Sequence, residues 1–277
     1  MIPFAPPVLP LKLGVIYQTY NQTGAVFEAL RSFRRHFPTV PIRLLSDNGV
    51  DVSVIAKHFA AEYVHCPNDT ITHVAPYPFR SPSHGVQQLR RGADAARSFV
   101  GCEWMLILED DVFTRGPIKH PPLAPLSGPC TCSFSPALVQ YIRQKHTHLQ
   151  WVYGYSGCGG TILHIPSFLD AVDRPDDELL KSIEVGGALD SRIPRFGDAL
   201  LAYVFLNAGY SNGPPWLDQS ETSQGRGRPD AAFDHQFKIF YGRPMPKFLV
   251  PSVLPTPTTP VPPPGSTDEK SPCVVPG

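Results

Sequence analysis

The chain predicts an α/β fold, with a mostly parallel sheet covered by helices on both faces. Three observations predict it. Apolar runs of strand length alternate with helix-period segments through the first 65 residues, the sign of βαβ units. A further helical segment then leads into an apolar strand at 104–108. The composition, 42% hydrophobic and 17% charged, describes a chain able to build a sizeable core.

Residues 11–17 are apolar and lie between Pro10 and a polar stretch, as in a buried strand that ends in a loop. In 23–37, Ala25, Val26, Phe27, Leu30 and Phe33 recur near helical spacing, Arg34, Arg35 and His36 load the far end, and Pro38 lies just beyond. The second strand is 41–46, followed by Asp47-Asn48-Gly49 as turn chemistry. A helix over 52–59 and a strand over 62–64 follow, then a loop with four prolines, a helix over 85–99 and the strand at 104–108. The second half predicts a loop at 116–129, a helix at 136–145, an aromatic, glycine-rich stretch at 151–160 and a strand at 161–165. Helices at 168–172, 176–183 and 197–208 come next, the last closed by Gly209. Residues 211–234 read as loop and 237–241 as a final strand.

Organisation follows from proline, 33 of 277 residues, which crowds both ends. Residues 1–10 form an extended segment, 11–249 one folded domain with halves at 11–111 and 112–249, and 250–277 a flexible Pro-rich tail. Lys plus Arg equals Asp plus Glu at 24 each, so no basic field is available to attract nucleic acid. No apolar run reaches the ~18–20 residues of a membrane span. The first ten residues lack the basic and unbroken apolar regions of an export signal, so a soluble, cytoplasmic protein is expected. The six cysteines are then free thiols, and Asn21-Gln22-Thr23 and Asn68-Asp69-Thr70 are chance sequons. Cys130-x-Cys132 with His146, His148 and Cys158 has poor spacing for zinc.

Chemistry concentrates in MLILEDDVF, 105–113, where an apolar strand delivers Glu109, Asp110 and Asp111 to its carboxyl end. Adjacent carboxylates repel one another unless a cation sits among them. In open α/β sheets, ligands bind at that edge. GYSGCGGTILHI, 154–165, sets glycines before a strand and lets backbone approach a ligand closely.

These residues resemble the GT-A-fold glycosyltransferases, family 2-like, whose DxD motif holds a divalent metal against a nucleotide-sugar diphosphate. Here it stands as the variant Glu109-Asp110-Asp111. The resemblance spans about 11–242 and implies a GT-A-like three-layer fold and an inverting, metal-dependent sugar transfer. It makes Asp111 the preferred ligand of Mn²⁺ or Mg²⁺, with Glu109 and His235 as further ligands. VIYQTYNQTGAVFEAL, 15–30, is similar to the opening strand, loop and helix, placing Thr19, Tyr20 and Asn21 beside base or ribose. LLSDNG, 44–49, makes Asp47 a base contact, unless it serves only an Asx-turn. Glu109 and Asp110 also face the nucleotide, and Arg90, beside Arg80 and Arg91, is a diphosphate contact or part of a solvated helix face.

GDALLAYVFLNAGY, 197–210, is similar to the helix that opens with the catalytic acid of inverting members. Asp198 is therefore the base candidate, Asp190 the alternative, and a helix-capping role remains open for Asp198. Gly157, Gly159 and Gly160 are expected to line donor sugar and acceptor, and Trp216 to stack on an acceptor or pack in the core. The expected partners are a UDP-, GDP- or dTDP-sugar and a glycan, protein or small-molecule acceptor. Competing readings are a metal-dependent phosphohydrolase and a non-catalytic nucleotide-sugar or carbohydrate binder.

Overall fold

The structure is a computed structural model, and it describes residues 4–19, 21–47, 50–66, 81–149, 151–152, 154–156, 159–222, 227–236 and 241–249. The tail at 250–277 lies outside the described residues, as do Tyr20, Arg80, Gly157, Cys158 and the expected strand residues 237–240. Strand β1 (Leu13–Thr19) feeds helix α1 (Thr23–His36), followed by β2 (Ile42–Asp47), α2 (Ser53–His58) and β3 (Glu62–Cys66). Helix α3 (Pro82–Ser98) then leads to β4 (Trp104–Glu109). These four strands pair in parallel, in the order β3-β2-β1-β4.

Beyond β4 the chain makes the short strands β5 (Val112–Thr114), β6 (Leu126–Ser127) and β7 (Cys130–Cys132), then helix α4 (Pro136–Lys145) and β8 (Tyr155–Ser156). Strand β9 (Thr161–His164) enters the main sheet antiparallel to β4 and is flanked on its other side by β6, giving six strands. Helices α5 (Ile165–Val172), α6 (Asp176–Leu189) and α7 (Gly197–Asn207) follow, and then β10 (Gln219–Ser220) and β11 (Phe233–His235). β11 lies between β10 and β5 in a second, three-stranded sheet. β7 and β8 form a small antiparallel pair across α4.

Alternation along the strands divides the core in two. Val15, Tyr17, Leu44, Leu106 and Leu108 face one side, where α1 and α2 supply Val26, Phe27, Leu30, Phe33 and Ile55. Ile16, Leu45, Met105, Ile107 and Leu163 face the other, where α3, α5, α6 and α7 pack. The result is a three-layer α/β arrangement with a mostly parallel sheet, the period-2 consequence of strands buried on both faces. Helix α7 is buried on all sides except at Asp198, as its unbroken apolar sequence requires. Phe4 sits edge-on against Trp104 and His164, so the N-terminal segment is seated on the sheet. No described helix is long and apolar enough to cross a membrane.

Two expectations are corrected here. Helix α6 runs to Leu189 instead of stopping near 183, because Gly186 is not a terminator: a Cβ there would stand 2.7 Å from the Tyr203 ring, so the glycine serves close helix packing. The stretch 211–234, expected to be loop, contains β10 and the start of β11. Both strands are only two or three residues long: β11 forms by pairing with distant β5, and β10 by pairing with β11, tertiary contacts with no local period to read.

Candidate active site

Strand β1 lies beside β4 in the middle of the sheet, with Gln18 opposite Glu109. The carboxyl ends of both therefore open at the same edge, and the three acids emerge there. Asp110 and Asp111 are buried, at 4% and 5% exposure, and Glu109 is partly buried. They do not share one role.

Asp110 points into a protein-made cage. Its two oxygens accept hydrogen bonds from the Thr19 hydroxyl at 2.8 Å and the Tyr241 hydroxyl at 2.7 Å. Burial pushes its pKa up to about 6 against those two bonds, with Asp111 and Glu109 adding to the rise. Tyr241 is held well above its ordinary value by burial and by the Asp110 charge. Asp110 therefore fastens the edge, and Thr19, expected beside base or ribose, spends its hydroxyl on Asp110.

Asp111 and Glu109 turn the other way, toward β11. Antiparallel pairing sets His235 opposite Val112, and ligand atoms of Glu109, Asp111 and His235 all lie within 4.8 Å of one another. Asp111 Oδ1 is buried without a well-aligned hydrogen bond, and His235 Nε2 stands 3.2 Å from it. Two carboxylates and an imidazole, one carboxylate oxygen among them lacking a full partner, are a donor set that suits Mn²⁺ or Mg²⁺. Among the described residues this is the one grouping of at least three such ligands. Burial would lower the His235 pKa, yet hydrogen bonds to Asp111 and Glu221 and the charges of Asp111 and Glu109 lift it to about 11.

The glycine loop closes over this group. Gly160 N–H donates to the Ile107 carbonyl at 2.8 Å. A Cβ on Gly159 would lie 3.3 Å from Glu109 Oε2, and Gly160, at φ +92°, would drive one into Gln219. Both positions need glycine, the second also because L side chains are strained there. Buried Asp234, next to His235, is held by Arg115 and by the Thr222 hydroxyl at 2.6 Å, which fixes β11 against the edge.

The remaining expected residues are more scattered. Asp198 stands in the first turn of α7, partly exposed. Its neighbour Gly197 lines a mainly apolar cavity of about 50 Å³ together with Gln18, Gln88 and Arg91, so the start of α7 lies across that cavity from the end of β1. Asp190 does not serve as a free base: Arg192 and the Ser135 N–H engage both of its oxygens. Burial alone would raise its pKa, but those bonds hold it below the usual carboxylate range. Arg90 is likewise committed elsewhere, to Asp176 and the carbonyls of Val172 and Arg174, where it ties α3 to the α5–α6 turn. Trp216 is a core residue at 3% exposure, packed on Phe233 with its indole N–H on the His120 carbonyl. Asn21 is exposed just ahead of α1, and the placement of the Asp47 side chain lies outside the described residues. His146 and His148 meet the backbone carbonyls of Asn207 and Gly209.

Sequence reasoning missed Glu221 and Tyr241. Glu221 sits in the stretch QSETS, whose composition reads as surface loop, and it gains its place only through β10. Tyr241 approaches Asp110 across 131 residues of chain.

No family model and no curated protein matches the chain. Among solved structures, it is similar to the galactosyltransferase LgtC in complex with donor and acceptor sugar analogues, at a TM-score of 0.45 and 12% identity over 83% of this chain and 87% of that one. An active-site mutant of LgtC gives 0.46 and 12% over 83% and 88%. The apo form of the glycosyltransferase GlyE of Streptococcus pneumoniae TIGR4 gives 0.43 and 12% over 80% of this chain and 54% of that one. At these TM-scores the likeness carries no functional weight, and the chemistry rests on the site itself.

Proposed function

We propose that the chain is a metal-dependent glycosyltransferase that moves a sugar from a nucleotide-sugar donor to an acceptor hydroxyl with inversion. The observation that carries this reading is the meeting of Glu109, Asp111 and His235 at the carboxyl edge of a parallel sheet, with a buried Asp111 oxygen turned toward the group. Those three residues would hold Mn²⁺ or Mg²⁺. The ion, when bound, supplies positive charge that stabilises the departing nucleoside diphosphate. Asp110, locked by Thr19 and Tyr241, keeps the two liganding acids on either side of it aimed outward. Gly159 brings backbone against Glu109 and Val112, and Gly160 against Gln219, at positions with no room for a side chain.

Asp198 is the base in this reading. A carboxylate in the first turn of α7, next in sequence to Gly197 of the cavity that Gln18 also lines, would take the proton of an acceptor hydroxyl as that oxygen attacks the anomeric carbon. A phosphohydrolase with a carboxylate nucleophile at the first strand's end finds Gln18 and Thr19 there instead.

The test is a panel of UDP-, GDP- and dTDP-sugars with Mn²⁺ or Mg²⁺, scored by thermal shift, donor hydrolysis and transfer. Metal-dependent stabilisation and hydrolysis of at least one donor is expected. Stabilisation by none, or phosphate release from generic phosphoesters without sugar transfer, would overturn the proposal, and donor binding without any turnover would make the chain a binder.

A further inference from the structure

Behind His235, on the side away from Asp111, lies a second buried acid that the transfer chemistry does not use. Glu221 is 4% exposed, and its two oxygens stand 3.2 and 3.3 Å from His235 Nδ1. Its Oε1 also accepts from Gln219 Nε2 at 3.2 Å, and the same nitrogen donates to the Gly159 carbonyl at 3.1 Å. Gln219 is 4% exposed too. An unbroken chain of buried hydrogen bonds therefore runs from the glycine loop through Gln219 and Glu221 to the ring of His235.

A histidine that ligates a metal through one ring nitrogen characteristically donates the N–H of the other to a carboxylate, which sets the tautomer, turns the ring and makes the ligating nitrogen more basic. Here Nε2 faces Asp111 and Nδ1 faces Glu221. A carboxylate is a costly group to bury without a cationic or hydrogen-bonding partner, and in a purely structural role a glutamine would satisfy Gln219 and His235 equally well. We propose that Glu221 is the outer carboxylate of the metal centre, a positioning residue that fixes His235 for the ion, and that Gln219 joins this carboxylate to the Gly159 carbonyl. The inference rests on the metal-centre reading above and adds a residue that acts only through His235. It also makes the glycine loop and the metal centre one hydrogen-bonded unit, so that a change at Gln219 reaches the ion without touching a ligand.

The experiment is a Mn²⁺ titration of the full chain, without nucleotide, read by the electron paramagnetic resonance signal of free Mn²⁺. Glu221→Gln should weaken Mn²⁺ binding by about 10–100-fold. His235→Ala should weaken it as well, and adding Glu221→Gln in that background should cause no further loss, which a general packing role would not produce. Gln219→Met, which keeps the length and loses the donor, should lower affinity in the same direction by a smaller factor and serves where Glu221→Gln does not fold. Mn²⁺ affinity within twofold of wild type in a folded Glu221→Gln protein, or an equal loss with and without His235, overturns the proposal alone. Failure of the wild-type chain to take up Mn²⁺ overturns both it and the metal-centre reading.

Discussion

Three consecutive acids look interchangeable in the sequence, and their different partners separate them. Asp111→Ala is expected to abolish metal-dependent donor turnover while leaving the melting temperature in EDTA within about 2–4 °C of wild type, because one of several crowded carboxylates has been removed. The two base candidates separate in the same way. Asp198→Asn should lower kcat by about 10²–10⁴-fold, the usual worth of a positioned base, whereas Asp190→Asn should retain turnover and lose stability. For Asp190 the sign is set by its depressed pKa. Its ionised form is the one that Arg192 and Ser135 hold, so its stabilisation is present above the unfolded carboxylate pKa and disappears as pH falls through the lower folded value. A melting series from pH 7 to pH 3 should therefore show a shallower acid-side decline in Asp190→Asn than in wild type. The strand-end acids were legible because the apolar run and the charge both lie in a few adjacent residues, whereas His235 came only from the family resemblance. Glu221 was not, since nothing near it in sequence announces the β11 partner that makes it matter.

Elements with strong local patterns emerged nearly where their sequences place them. Helix α4 spans Pro136–Lys145, with Ser135 accepting from the Leu138 N–H and Pro136 at its first position, the combination that starts helices. Elements made by distant contacts were invisible: β10 and β11 are too short for a period, and the end of α6 was misjudged because glycines punctuate most helices but here admit a ring. Gly186→Ala tests that last point. Helix propensity alone would make alanine the more stable choice by up to ~1 kcal/mol, yet the Tyr203 ring leaves no room for a methyl group. A net destabilisation of about 1–2 kcal/mol in urea melts is expected, since overpacking at a rigid contact outweighs the propensity gain.

For the whole molecule, the two faces of the sheet hold separate cores. Residues 245–249 lie against the outside of the one that α1 and α2 cover, where Phe248, itself 70% exposed, contacts Phe27 and His58 and Met245 and Leu249 pack nearby. A chain cut after Pro251 should keep the wild-type melting transition and Mn²⁺ uptake. A chain cut after Pro244 should melt earlier by a few degrees, because the partly buried Met245 and Leu249 and the ring contacts of Phe248 go with it. Calorimetry of the two truncations distinguishes a tail without structural duty from a segment that packs on the outside of a core.

The reversed strand β9 has a consequence for how the two halves can move. Its ladder with β4 joins the half that carries the acids to the half that carries α7, so both belong to one continuous six-stranded sheet. Two lobes on a hinge can part to release a product, but these halves cannot part without tearing hydrogen bonds from the centre of the sheet. If the chain acts as proposed, donor and acceptor would meet over a floor that the β4–β9 ladder holds together.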